Sequence, residues 1–348
     1  MKRFFFHVGF AWIVVVLSSC TAPQQKKVAR ADTVGVSPYR VPEQISDGWN
    51  RNTSCEPQEP GLAEVRCLQT SGGMHARIPV ELSLAPFVRE IVVQRPSDEP
   101  YTVLPGPFPV LGFQWTGTLY VTRNEDEVSL SQAGIAGLQR GPQTFRADPH
   151  TQTVLIVFQP EGAFRLLGFG MDELPNANTD LDNILPRSSV HEIGERMWEA
   201  ATVFDVARVV QGFLRQVLDL YGRLGHHVVS EAVASILACN GSIQVQQLAR
   251  QVSMSPRQLE RVFRHEVGAS PKRFADLVRF SCTLAKFSRS QSMADLAYAA
   301  GYADQAHFIR AFGTFAGTTP IRLFKRDGGI MMSHSFNTQR PQESTMLV

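Results

Sequence analysis

Short apolar runs broken by proline and glycine occupy the chain from Ile78 to about Phe158. Tyr101–Leu104, Val110–Trp115, Thr118–Thr122, Gly134–Leu138 and Thr153–Phe158 have the length of strands, and Pro105-Gly106-Pro107 and Arg140-Gly141-Pro142 mark turns. This spacing predicts a small sandwich or barrel, with a short helix over Ala163–Phe169 packed against it. After about Ser188 the apolar pattern takes a helical period. Ile193, Met197, Ala200 and Ala201 share one face, and Val206, Val209, Val210, Phe213, Leu214, Val217 and Leu220 share another. Gly222 and Gly225 end that helix, Val228–Cys239 forms the next, and Asn240-Gly241 closes it. Residues 243–326 read as short helices with brief turns. The pattern therefore gives a multidomain α+β chain, with a β-rich N-terminal domain, a small barrel or sandwich, followed by an all-α domain.

With 348 residues, 43% hydrophobic and 19% charged, the chain is long enough for two ordinary domains and is neither disordered nor fibrous. Its five cysteines are widely spread, which excludes a small disulfide scaffold. The net charge of +2 hides an asymmetry. Residues 240–327 hold 13 Lys+Arg and 6 Asp+Glu, a net +7, which leaves −5 for the remainder. A basic C-terminal third on an acidic chain points to a polyanionic partner for that third alone.

The first twenty residues have the pattern of an export signal. Lys2 and Arg3 precede an apolar run from Phe4 to Leu17, and Leu17-Ser18-Ser19-Cys20 resembles a lipobox in which Cys20 would carry the lipid. Residues 21–73 are polar, proline-rich and without clear periodicity, which predicts a low-structure linker. Cys55 and Cys67 could pair if exported. The competing reading starts the working protein near Met74, after Ser71-Gly72-Gly73, and leaves the leader unused.

Two segments of the C-terminal third repeat each other. Leu248-Ala249 recurs as Leu296-Ala297, and the anchors Leu259 and Phe263 recur as Phe308 and Phe312, so the second copy carries one extra residue at its turn. Each copy has the plan of a helix-turn-helix. Ala249 and Ala297 allow close helix crossing, Ser253 and Gly301 sit where the chain must turn, and Ser255 and Asp304 can cap the second helix, with Pro256 first in copy one. With Leu259, Val262 and Phe263 facing inward, Arg257, Gln258, Arg261 and Arg264 face out. With Phe308, Ala311 and Phe312 inward, Gln305, Ala306, His307 and Arg310 face out. Arginine pairs bidentately with guanine and glutamine with adenine in the major groove, so this chemistry suits double-stranded DNA. Between the copies Pro271–Phe287, capped by Ser270, reads as a helix that spaces them. Its Lys272, Arg273 and Arg279 suit phosphate contacts, which add affinity and salt dependence but not sequence choice.

Segments 253–280 (SMSPRQLERVFRHEVGASPKRFADLVRF) and 295–325 (DLAYAAGYADQAHFIRAFGTFAGTTPIRLFK) resemble the AraC/XylS family of bacterial transcription regulators. The family's ending, a phenylalanine followed by Gly-x-Thr/Ser-Pro, stands here as Phe312 to Pro320, and the first copy ends in Gly268-Ala269-Ser270-Pro271. Residues 76–200 are similar to the β-rich domain of one AraC-type subgroup, a likeness carried by Gln159–Gly168 and Met171–Leu174 that implies a cupin-like fold there. The resemblance implies a transcriptional regulator, activator among its roles, with two recognition helices at about 255–267 and 304–315 reading successive major-groove segments. It implies base contacts from Arg257, Gln258, Arg261, Gln305, Ala306, His307 and Arg310, and phosphate contacts from Ser255, Arg264, Lys272, Arg273 and Arg279. Ala306 is too short to hydrogen-bond a base, although its methyl can touch thymine. It also implies an N-terminal domain that senses an unidentified effector or forms a homodimer, with RNA polymerase as a further partner. The domains expected are 1–20 signal or leader, 21–73 linker, 74–187 β-rich domain, 188–226 helical connector, 227–327 double helix-turn-helix and 328–348 disordered tail. The family does not normally carry a leader of this length, and a lipidated, exported protein cannot reach the chromosome. The expected location is the cytoplasm at the nucleoid, with no membrane contact unless the leader is used. The alternative is a lipid-anchored exported protein whose helical domain binds something other than DNA.

No enzymatic role, cofactor or metal is expected. The nine histidines show no metal spacing, and His226-His227 are adjacent and read as structural or solvent-facing. The P-loop, the dinucleotide fingerprint and Gly-x-Ser-x-Gly are absent from the sequence. Cys239 and Cys282 read as small core residues, without the basic neighbours that would activate a methyl-accepting thiolate. Glu125-Asp126-Glu127 reads as a charged hairpin tip. Phe113, Trp115 and Tyr120 read as β-core packing ahead of a ligand pocket.

Overall fold

The computed structural model describes residues 14–18, 66–70, 73–96, 98–174, 178–286, 292–325 and 330–333. The expected lipidation site Cys20, and Cys55, lie outside the described residues. Two antiparallel sheets form the N-terminal part. One has the strand order β13-β1-β5-β10-β7-β8: β13 Ile330–Ser333, β1 Val14–Ser18, β5 Tyr101–Val103, β10 Gln143–Ala147, β7 Leu119–Arg123 and β8 Asp126–Ser129. The other has the order β12-β9-β6-β11-β4-β3-β2: β12 Asn178–Asp180, β9 Ala133–Ala136, β6 Val110–Thr116, β11 Gln152–Phe158, β4 Val88–Pro96, β3 Gly73–Ile78 and β2 Arg66–Thr70.

The expected boundaries shift at both ends. The low-structure linker was expected to run to residue 73, yet Arg66–Thr70 pairs with Gly73–Arg77, and the expected start at Met74 falls inside β3. The expected disordered tail contains β13, paired with Val14–Leu17. Arg66–Thr70 has a single leucine among polar neighbours, and Ile330–Ser333 is a run of only four residues, so neither registers as a pattern. The expected hairpin tip at Glu125-Asp126-Glu127 is shifted, since Asp126 and Glu127 already pair within β8. Asn124 and Glu125, both at positive φ, form a two-residue turn between β7 and β8.

Alternation along the larger sheet separates two environments. Ile91 and Val93 of β4, Leu111, Phe113 and Trp115 of β6, and Val154, Ile156 and Phe158 of β11 join one buried cluster. Three helices cover that face: α1 Gly162–Leu167, α2 Arg187–Glu199 and α3 Val203–Tyr221. Ile193, Met197, Val206, Val210, Phe213 and Leu214 supply the helical side, and Phe113 meets Phe213 edge-on at 5.7 Å. Phe113 and Trp115 are therefore core residues, as the blander reading held. Tyr120 instead lies under Arg146, at 4.3 Å from ring to guanidinium. Ala200 ends α2 and Ala201 lies beyond it, exposed, so the expected apolar face is one residue shorter. A capping box of Thr202 and Asp205 starts α3. No described helix is long and apolar enough to cross a membrane.

His75 is buried on β3, and its Nδ1 lies 3.1 Å from Gln94 Oε1. Burial, opposed by that hydrogen bond and reinforced by the Arg77 charge, lowers its pKa from 6.5 to about 4. The native ring stays neutral while the unfolded ring takes up a proton, so this contribution is complete above pH 6.5 and is lost as pH falls towards 4. Relative to His75→Gln, the wild type is expected to lose about 2–3 kcal/mol of unfolding free energy between pH 7 and 4.5. Urea titrations at the two pH values check this, and a difference that does not change with pH would contradict it.

Among the described residues the helical domain follows in seven helices: α4 His227–Ala238, α5 Val245–Gln251, α6 Pro256–Val267, α7 Pro271–Lys286, α8 Met293–Ala299, α9 Gln305–Ala316 and α10 Pro320–Lys325. They share a second buried cluster centred on Phe263, Phe274, Phe280, Phe308 and Phe312. Two β-domain residues, Leu104 and Leu138, belong to that cluster as well.

Candidate nucleic-acid interface

The two helix-turn-helix copies close in the same way. After α5, Ser253 sits at φ +55° and Met254 N–H donates to Ala249 C=O at 2.9 Å. After α8, Gly301 sits at φ +75° and Tyr302 N–H donates to Ala297 C=O at 3.0 Å. Ala249 and Ala297 are buried at the crossings. The cap follows the positive-φ residue by two positions in copy one (Ser255) and by three in copy two (Asp304), which is the extra residue read from the sequence.

The Gly-x-Ser/Thr-Pro endings have a local explanation. Gly268 (φ +82°) and Gly317 (φ +65°) terminate α6 and α9, their N–H groups donating to Arg264 and Gly313 carbonyls, each at 2.9 Å. Ser270 Oγ and Thr319 Oγ1 then accept from Arg273 N–H at 3.3 Å and Arg322 N–H at 3.4 Å, capping the next helices, where proline takes the first position.

On the exposed faces of α6 and α9 lie Arg257, Gln258, Arg261, Gln305, Ala306, His307 and Arg310. No ion pair or side-chain hydrogen bond with a described residue holds the guanidinium of Arg257, Arg261 or Arg310. Gln258 is placed differently. Its side-chain Oε1 accepts from Ser255 Oγ at 2.8 Å while Ser255 Oγ accepts from Gln258 N–H, a capping box that starts α6. The Ser-x-x-Gln spacing was visible in the sequence but was read as a cap plus a base reader. His307 is exposed, with its ring edge-on to Tyr302 at 5.3 Å and its N–H bonded to Asp304 Oδ1 at 2.7 Å.

The expected phosphate-contact residues do not form one set. Lys272 is exposed and pairs with Asp276 at 2.5 Å, and Arg264 is exposed and pairs with Glu260 at 2.7 Å. Arg273 is half-buried, and its Nη2 donates to Gln139 C=O of the β domain at 2.9 Å. Burial, together with the charge of Arg140, lowers its pKa. Arg279 is half-buried too. Its Nη2 donates to Gly241 C=O at 2.7 Å and its guanidinium lies 5.4 Å from the Tyr302 ring centre. These two arginines are spent inside the protein, because the spacer helix turns most of its circumference into the core.

Sequence reasoning missed the junction at the C-terminal end of α6. His265 Nδ1 lies 3.0 Å from Asp172 Oδ1, and the imidazole meets Phe164 edge-on at 5.2 Å. Glu266, fully buried on α6, accepts from His226 N–H at 2.8 Å and also pairs with the His226 ring. The β domain grips one end of α6 and leaves the other end free. Among the described residues no cluster of three metal-ligating side chains occurs. Cys282 is buried and donates to Asn240 Oδ1 at 3.3 Å, and desolvation pushes its thiol up to about 11.

Residues 248–326 match the family described as helix-turn-helix domain. The HTH-type transcriptional regulator ArgR of Pseudomonas aeruginosa is 29% identical over 119 residues, 33% of this chain and 36% of the relative, so the likeness spans about a third of that protein. Among solved structures, an apo ToxT variant from Vibrio cholerae is similar at 13% identity and a TM-score of 0.39, covering 70% of this chain and 97% of that one. The AraC-like transcriptional activator CuxR is similar at 16% identity and a TM-score of 0.27, covering 64% and 84%.

Proposed function

We propose that this chain, whose C-terminal third is a helix-turn-helix domain of the AraC type, is a sequence-specific DNA-binding transcriptional regulator. The observation that carries the reading is the duplicated closure that presents α6 and α9 with unpaired arginines on their exposed faces. Recognition helices in this arrangement enter successive major-groove segments, joined by a spacer of 16 residues, about 24 Å at 1.5 Å per residue. Arg257 and Arg261 read bases in one segment, and Gln305, His307 and Arg310 in the other, with the Ala306 methyl against thymine. Lys272 and Arg264 add phosphate affinity. Arg273 and Arg279 hold the scaffold instead, and Gln258 reaches a base only by leaving its cap. The β domain senses an effector, with its signal passing through the grip on α6. The working protein acts at the chromosome in the cytoplasm, with RNA polymerase as partner, and a homodimer fits two-fold operators.

Footprinting of the full chain on genomic DNA, followed by affinity measurements at fixed salt, tests this. Arg261→Ala or Arg310→Ala is expected to cost about 1–3 kcal/mol of specific affinity and to relax preference at one or two adjacent base pairs only. A loss of equal size on every sequence would overturn direct readout by these residues.

A further inference from the structure

The face of the larger sheet turned away from the helices carries a row of polar side chains at one register. His75 on β3 lies opposite Gln94 on β4, Gln94 opposite Thr153 on β11, and Thr153 opposite Gln114 on β6. All four are buried, and all four line a cavity of about 200 Å³ between the two sheets. The smaller sheet closes it with Tyr101, Val103, Leu119 and Phe145, and Val110 and Leu155 extend the apolar wall.

The polar groups of this row are mostly spent. Gln114 Nε2 donates to Leu130 and Ser131 carbonyls at 2.7 and 2.9 Å, and its Oε1 accepts from Leu119 N–H at 2.8 Å. Gln94 Oε1 is engaged by His75. Thr153 differs: the residue is 2% exposed, and its Oγ1 has no hydrogen-bond partner among the described residues. A hydroxyl can both donate and accept, and a buried one left without a partner is costly. The cavity is also held open by its backbone. Gly112 and Gly134 face each other across β6 and β9, and a Cβ on Gly112 would meet only Leu155 Cδ2 at 3.4 Å and Gly134 O at 4.0 Å.

We propose that this cavity binds a small uncharged, mainly apolar molecule whose single hydroxyl or carbonyl oxygen is taken by Thr153. The proposal rests on the β domain being the sensor and names the chemistry that it senses. No lysine, arginine, aspartate or glutamate lines the cavity among the described residues, and burial keeps His75 neutral at pH 7. A carboxylate would enter without a counter-charge, and a sugar would set most of its hydroxyls against an apolar wall, where only Ser131 and Asn178 add polar side chains to the row. Benzene fits an apolar cavity of roughly 150 Å³, so this volume takes a substituted ring or a medium-length chain.

Calorimetric titration of the full chain with 1-octanol and with octanoate at pH 7.5 tests the proposal, since the two probes differ in charge and hardly in length. Saturable binding of octanol, at least tenfold tighter than octanoate, is expected. Thr153→Val is expected to weaken octanol binding about tenfold with an unchanged far-UV circular dichroism spectrum, and Gly112→Leu to abolish it by filling the cavity. Octanoate binding as tightly as octanol, neither probe binding, or octanol binding that is indifferent to both substitutions would overturn the proposal. DNA affinity of the wild type is measured alongside. Octanol bound as described with no change in DNA affinity supports the ligand class and removes the sensory role. Specific DNA binding with no octanol binding removes the ligand class and leaves the regulator.

Discussion

Replacing Phe280 by alanine is expected to destabilise the protein by about 3–5 kcal/mol, the usual cost of emptying a packed phenylalanine site. Phe280 is fully buried in the middle of α7, with its ring 5.2 Å from both Phe312 and Phe315 of α9. Phe308 continues the stack, at 5.6 Å from Phe312. The space cannot refill from solvent-facing residues, because Leu277, Val278 and Leu284 already fill their own sites on the same helix. The loss falls on the seating of α9 and not on the sheets. Chemical denaturation followed by far-UV circular dichroism gives the stability change. Amide exchange should show α9 losing protection more than β6 or β11, and an even loss would mean that the aromatic stack does not seat α9 in particular.

Gly241→Ala is expected to cost about 3–4 kcal/mol. The residue sits at φ +77°, a conformation that costs an L-residue roughly 1–2 kcal/mol. An added Cβ would also lie 2.1 Å from Ala275 C=O and 2.9 Å from Arg279 N on the spacer helix, both backbone atoms that move only with the helix. Overpacking of this kind adds typically 1–3 kcal/mol. Displacing α7 also disturbs the Arg279 bond to Gly241 C=O. Specific DNA affinity should therefore fall together with stability. Asn240→Ala is the control: it strains the backbone at the residue before the glycine, also at positive φ, and gives up only the weak Cys282 thiol bond to Asn240 Oδ1, without placing new atoms against the spacer. Melting temperatures of the two variants separate backbone strain from collision, and equal losses would count against the collision.

The helix-turn-helix pair was legible in sequence because its determinants are local. Ser253 and Gly301 mark turns, Ser255 and Asp304 mark caps, and Gly268 and Gly317 mark ends, each within a few residues of what it controls. The junction was not legible. Arg273 meets Gln139 across 134 positions and His265 meets Asp172 across 93, and such pairings leave no period behind. An arginine clamped to a carbonyl has the same letter as one waiting for phosphate, which is why Arg273 and Arg279 were assigned to DNA. In the β domain, strands with an apolar face such as β6 and β11 were read closely. β8, exposed at all four positions, and β10, with only Ala147 buried, offered no apolar stripe to find. Nor could alternation alone distinguish a sheet face filled by helices from one that is left hollow, since Gly112 and Thr153 read equally well as packing.

Leu104 and Leu138 have a consequence for how such proteins can be recombined. Because these two β-domain leucines complete the core of the helical domain, the two halves are not interchangeable cassettes. A chimera spliced between Gly222 and His226, where the chain looks most easily cut, would inherit a helical domain with two missing plugs and an Arg273 without its carbonyl. Viable shuffling has to carry the 104 and 138 loops along with the helices, so divergence of the β domain is constrained at those loops even where its interior is free to change.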